Sequence, residues 1–83
     1  MIIGKMTSQC NICGQNVRRL REKQGLSQDQ LAAKLQTEGL GVNQNSVSRI
    51  ETGKRIVADF ELKALATVFN VDIATLVENQ ADS

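Results

Sequence analysis

At 83 residues the chain is one domain that can bury only about 60 to 65% of the surface its unfolded form exposes, so its core is thin and a partner subunit is one way to complete it. It has no proline, tryptophan or tyrosine and only two phenylalanines, Phe60 and Phe69, a composition that favours helix and argues against a β-sandwich or barrel. The formal net charge of +1 hides two halves of opposite sign, since residues 1–55 carry nine Lys and Arg against four acids and residues 56–83 carry one base against five; a solvated bias of this size suits a polyanionic partner but also occurs without one.

Residues 1–11 show no sustained period and are expected to form a flexible N-terminal arm. From Ile12 or Cys13 to Lys23, Cys13, Val17 and Leu20 fall four and three apart while Arg18, Arg19, Glu22 and Lys23 take the other side, which predicts an amphipathic helix closed by Gly25. Ser27 with Gln30 three residues on has the spacing of a capping box. A second helix starts there, turns Leu31, Ala32 and Leu35 inward and runs to about Glu38, where Gly39 stops it and Leu40 folds back. Asn43 is a good N-cap for a third helix, Gln44 to Thr52, with Val47 and Ile50 inward and Gly53 at its end. Asp59 is placed as the cap of a fourth helix, Phe60 to Phe69, with an apolar stripe of Leu62, Leu65, Ala66 and Phe69. After a turn at Asn70 and Val71, Asp72 caps a short fifth helix, Ile73 to Glu78, with Ile73, Leu76 and Val77 facing in. Residues 79–83 are expected to be a flexible tail, leaving residues 12–78 as the folded domain.

The segments Gly25-Leu26-Ser27-Gln28, Leu31-Ala32, Val47-Ser48-Arg49-Ile50-Glu51-Thr52-Gly53-Lys54-Arg55 and Leu62, Leu65-Ala66, Phe69 and Val71 stand in the order of a known pattern. The chain resembles the Cro/repressor-type helix-turn-helix family, also called XRE, over about Gly14 to Val77. Three separate motifs in sequence are a far more specific signal than any one. The resemblance implies an all-α, five-helix, lambda-repressor-like DNA-binding domain. One departure is Gln36-Thr37-Glu38-Gly39-Leu40, which looks inserted before Gly41. It predicts a lengthened, looser connection between the second and third helices, and a shift of the third helix that would rotate Gln44 and Asn45 against a bound groove.

A helix enters the major groove when its outward side chains reach base edges about 8.5 Å deep. The outward residues of the third helix are Gln44, Asn45, Ser48 and Arg49, of types that pair with adenine or guanine; the bland alternative is an ordinary solvated face. The family uses residues matching Gln44, Asn45 and Arg49 as base readers and the one matching Gln28 as a phosphate contact. Gln28 opens the second helix, where free amides favour an anion, or it simply supports the Ser27 cap. Ser46, Lys54 and Arg55 complete the candidate phosphate contacts, Lys54 and Arg55 against the alternative of a solvated loop. The resemblance further implies a partly buried ion pair between Arg21 and Glu51 that positions the third helix rather than adding much stability.

Cys10 and Cys13 form a single C-x-x-C, half of a four-thiolate zinc site or a redox pair. With no histidine and no second pair, and with Cys13 at an apolar helix position where a thiol packs as a small hydrophobe, no metal or other cofactor is expected. No acid and base pair stands in a cleft pattern, so no catalytic residue and no enzyme is expected. No apolar run approaches the roughly 18 to 20 residues that span a bilayer and Met1 to Met6 is too short for a secretory leader, which predicts a cytoplasmic protein and no membrane partner. The expected function is sequence-specific binding of double-stranded DNA by a homodimeric transcriptional repressor, with Phe60, Val68, Ile73 and Val77 as candidate dimer positions. The alternative is an antitoxin-like or other protein-interaction module whose bundle covers a partner protein.

Overall fold

The computed structural model describes residues 2–78, with side chains from Cys13 to Glu78. Five helices and no strand are found among the described residues: α1 (Ile2–Lys23), α2 (Gln28–Thr37), α3 (Gln44–Glu51), α4 (Asp59–Phe69) and α5 (Ile73–Val77). Helix α3 packs against both α1 and α2, while α1 also reaches α4 and α5. The core is one cluster in which Val17, Leu31, Leu35, Val47, Leu65, Phe69 and Leu76 are fully buried. Each of the five helices contributes at least one of them.

Helix α1 begins at Ile2, ten residues earlier than its apolar period indicates. The period detects a buried face, but a helix anchored by its second half needs no such face to propagate, and residues 5–12 hold neither proline nor glycine. The tail expected at 79–83 lies outside the described residues. At the other end of α1, as after α2, α3 and α4, a left-handed residue closes the helix: Gly25, Gly39, Gly53 and Asn70. At Gly39 the reversal lets Leu40 donate its amide to the Leu35 carbonyl at 3.2 Å. Leu40 then packs against the core and Val42 is buried in it.

The connection of residues 38–43 is therefore longer but not loose. Gln36 Nε2 donates to the Val42 carbonyl at 2.7 Å, tying the segment back to α2. Apolar contact at Leu40 and Val42 does the rest, which is why extra length here does not become freedom.

Two further expectations are corrected. The residue before α4 is Ala58, not Asp59. Its amide donates to Glu61 Oε1 at 3.0 Å, the half of a capping box that needs no N-cap side chain, and Asp59 is the first helical residue. In α5 only Leu76 is buried, whereas Ile73 and Val77 are 41% and 43% exposed. A helix of five residues is too short for a wide apolar stripe to face one neighbour.

The tightest approach between helices is at Gly14. A Cβ built there would stand 2.3 Å from the Ile50 carbonyl oxygen and 3.2 Å from that of Glu51. Both are backbone atoms and neither can rotate away. Gly14→Ala is expected to force α1 and α3 apart and cost about 1 to 3 kcal/mol, despite alanine's better helix propensity. Urea unfolding of the two proteins measures this, and an unchanged or raised midpoint would refute the close approach.

Candidate nucleic-acid interface

Helix α3 owes its start to Asn43. Its Oδ1 accepts from the Ser46 amide at 2.9 Å while the Asn43 amide donates to Ser46 Oγ at 3.3 Å. This reciprocal cap orders the first turn, and the Ser46 hydroxyl donates back to Asn43 Oδ1 at 3.1 Å. Ser46 thus has a role inside the protein that its spacing three residues after Asn43 already suggests. Val47 and Ile50 anchor the inner face of α3 in the core. Gln44, Asn45 and Arg49 are exposed and Ser48 is half-buried, so the helix keeps a polar face outward.

At the end of α3 a buried charge pair meets α1. Arg21 Nε donates to Glu51 Oε2 at 2.6 Å and Nη2 to Glu51 Oε1 at 3.1 Å, while Nη1 reaches the Leu26 carbonyl at 2.8 Å. The side chains are 12% and 3% exposed respectively. The hydrogen bond to Glu51 raises the Arg21 pKa above its ordinary value; burial works against this, and the charges of Glu51 and Glu22 add to it. Three of its nitrogens are engaged, so the guanidinium holds α1, the turn after it and α3 in one geometry.

The pair continues outward as a chain of amides. Gln28 Nε2 donates to Glu51 Oε1 at 3.1 Å, and Gln44 Nε2 donates to Gln28 Oε1 at 2.9 Å. Gln28, the first residue of α2, therefore joins the buried carboxylate to the exposed first residue of α3. The sequence pattern supplies both residues but not the link, because glutamines 16 positions apart carry no periodic signal.

Arg55 takes part in an internal ion pair. Its Nη2 donates to Glu61 Oε2, and Glu61 is 6% exposed. A buried carboxylate at the start of α4 needs a cation, and Arg55, six residues earlier, supplies it. Lys54 is exposed, and its amide donates to the Arg49 carbonyl at 2.9 Å across the left-handed Gly53. Cys13 is buried in the core as expected of a small hydrophobe; the side chain of Cys10 lies outside the described ones. No group of three or more His, Cys, Asp or Glu suited to a metal ion is present among the described residues.

A helix with a capped start and a polar outer face, braced by a second helix through Gln28 and locked at its far end by a buried ion pair, defines a helix-turn-helix DNA-binding regulator. The helix-turn-helix family model matches residues 17–76, most of the chain, and the chain belongs to that family, in its XRE-type form. Among solved structures it is similar to the restriction-modification controller protein C.AhdI from Aeromonas hydrophila, at 30% identity and a TM-score of 0.72, over 84% of this chain and 94% of that one. No curated protein matches.

Removing one partner of the ion pair leaves a charge stranded under the recognition helix. Arg21→Met is expected to cost about 3 to 5 kcal/mol, and adding Glu51→Leu to recover most of it. Denaturant unfolding of the parent, the single and the double variant checks both statements; a single variant within about 1 kcal/mol of the parent contradicts the burial of the pair.

Proposed function

We propose that the chain is a cytoplasmic repressor that binds its operator as a homodimer, with Gln44, Asn45, Ser48 and Arg49 meeting base edges in the major groove. The observation that carries this reading is the Gln28 to Gln44 hydrogen bond. A glutamine reads adenine with its oxygen and one amide hydrogen together. Gln44 Nε2 has two hydrogens, and Gln28 takes one, leaving the other and Oε1 for a base. The side chain is thus held in place before DNA arrives.

Arg49 suits guanine, Asn45 adenine, and Ser48 either. Phosphate contacts fall to Lys54 and to the start of α2, where the Gln28 backbone amide is among those a helix leaves without a partner. Ser46 would have to loosen an existing bond to join them, whereas Arg55 has donors besides the Nη2 held by Glu61.

Self-association is supported by the distribution of exposed apolar side chains. Ile56, Phe60, Ile73 and Val77 are 76%, 64%, 41% and 43% exposed, and all lie in the acidic half of the chain. Pairing two copies there covers them and leaves both basic halves directed away from the junction. Two recognition helices then fit half-sites about 34 to 36 Å apart. No helix among the described residues is long and apolar enough to cross a membrane, which accords with the proposed location.

Selection of bound sequences from random duplex DNA tests the reading. Gln44→Ala and Arg49→Ala are each expected to relax preference at a separate base position by about 1 to 3 kcal/mol. Lys54→Ala is expected to weaken all sites alike and reduce the salt slope by about 1. Failure to enrich any sequence at low salt would sink the proposal and favour the protein-interaction alternative. For the dimer, Phe60→Asp and Val77→Asp are expected to halve the mass seen by light scattering while leaving helix content intact.

A further inference from the structure

We infer that Asn16 is a positioning residue that sets the permitted spacing between operator half-sites, because it fixes α5 to the same helix that fixes α3. The inference rests on the proposed pairing of two copies through the surface that includes α5.

Asn16 is 3% exposed, an uncommon state for a neutral amide and one that requires its hydrogen bonds to be met. Its Nδ2 donates to the carbonyls of Leu76 and Glu78, both at 2.7 Å. Its Oδ1 accepts from Arg19 Nη1 at 2.8 Å, which settles which end of the amide faces α5. One nitrogen with two hydrogens thus serves two carbonyls, one on each side of Val77.

Helix α5 needs this tie more than the other helices do. Helices α1 to α4 each end on a left-handed residue whose turn binds their last carbonyls. The C-cap of α5 is Glu78 in extended conformation, and the Asn16 amide of α1 serves the carbonyls of Leu76 and Glu78. With five residues the helix has little stability of its own. Its one fully buried side chain is Leu76, and a single anchor permits rotation about itself. Bonds on both sides of Val77 remove that rotation and fix the direction in which Val77 is exposed.

The same stretch of α1 holds the recognition helix. Gly14 lies against the end of α3, and Arg21 binds Glu51. The eight residues 14–21 of α1, spanning about 10.5 Å, therefore carry the dimer surface and the DNA surface on one rigid element. A change in the direction of α5 is carried through α1 to α3, and a shift there of about 3.4 Å, one base-pair rise, is enough to change which half-site spacing two recognition helices fit. Two-fold symmetry repeats the error in the second copy.

The test compares duplexes carrying one selected half-site with duplexes carrying two, the spacer being native, one base pair shorter or one longer. Asn16→Leu keeps the branched shape and removes all three bonds; Asn16→Ser keeps a smaller polar group. Circular dichroism and light scattering establish fold and mass. The expected result is half-site affinity within about twofold of the parent, a loss of about tenfold or more on the native two-site duplex, and a penalty for altered spacers that shrinks to about threefold or less. A spacer profile like the parent's overturns the inference, as does an equal loss on one-site and two-site duplexes, which marks a merely structural residue. If neither variant folds, Asn16 is a folding requirement and the spacing role is likewise overturned. A parent protein that is monomeric and indifferent to spacing removes the dimer reading itself, and with it this inference.

Discussion

The guanidinium of Arg21 and the carboxylate of Glu51 meet where α1 crosses the last turn of α3, and the missing side chain at Gly14 brings the two backbones close enough for that pair to form. Neither feature suffices alone. A close approach without the pair would leave the end of α3 free to slide, and a pair without the close approach would span the gap from a solvated position. Burying both charges costs much of what their attraction returns, so the contribution is geometric more than energetic. Glu51 can be satisfied fully only when α1, α3 and Gln28 stand in one relation, and other arrangements leave a charge unpaired out of water.

From that buried point the polar groups form a graded series toward solvent. Arg21 and Glu51 are enclosed, Gln28 is half-buried and Gln44 is exposed. A glutamine side chain loses about 1.5 to 2 kcal/mol of rotamer freedom when it is immobilised. In the proposed reading of a base by Gln44, restricting the side chain in the free protein moves part of that cost from binding to folding. The connection of residues 38–43 serves the same end. Its extra length is absorbed by Leu40, Val42 and the Gln36 amide, so the start of α3 inherits the position of α2 rather than the mobility of a loop.

The helices and the residues of the outer face of α3 were legible in the sequence because their signals are local. Ser27 with Gln30 and Asn43 with Gln44 onward declare helix starts, and the apolar spacing of Val47 and Ile50 declares which side of α3 faces inward. What escaped were contacts between residues far apart in the chain. Asn16 sits inside an apolar period as a polar exception, and nothing near it indicates that its partners lie 60 and 62 residues away. Glu61 is in helical register with apolar Leu65, a sign that a buried carboxylate would need a cation, yet Arg55 reads equally well as a free basic residue. The early start of α1 was hidden because residues 2–11 carry no sustained apolar period and helix propagation does not require one. Ile73 and Val77 misled in the opposite sense, since their apolar character fits either a core or an interface and only the shortness of α5 decides.

A domain of this size cannot fix its helix ends by burial alone, and the structure shows what is used instead. Asn16 ties α1 to the end of α5, Gln24 Nε2 donates to the Phe69 carbonyl at the end of α4 at 3.0 Å, and Gln36 ties α2 to the connection before α3. In each case a side-chain amide donates to a backbone carbonyl. Lysine or arginine could make the same bonds with greater strength. But a cation used for fastening would bring its charge with it and alter the field over a surface that meets a polyanion. A neutral amide closes the carbonyl without doing so. The charges of Arg21 and Arg55 are matched by Glu51 and Glu61, and the amides of Asn16, Gln24 and Gln36 close three further carbonyl sites without adding charge to the molecule.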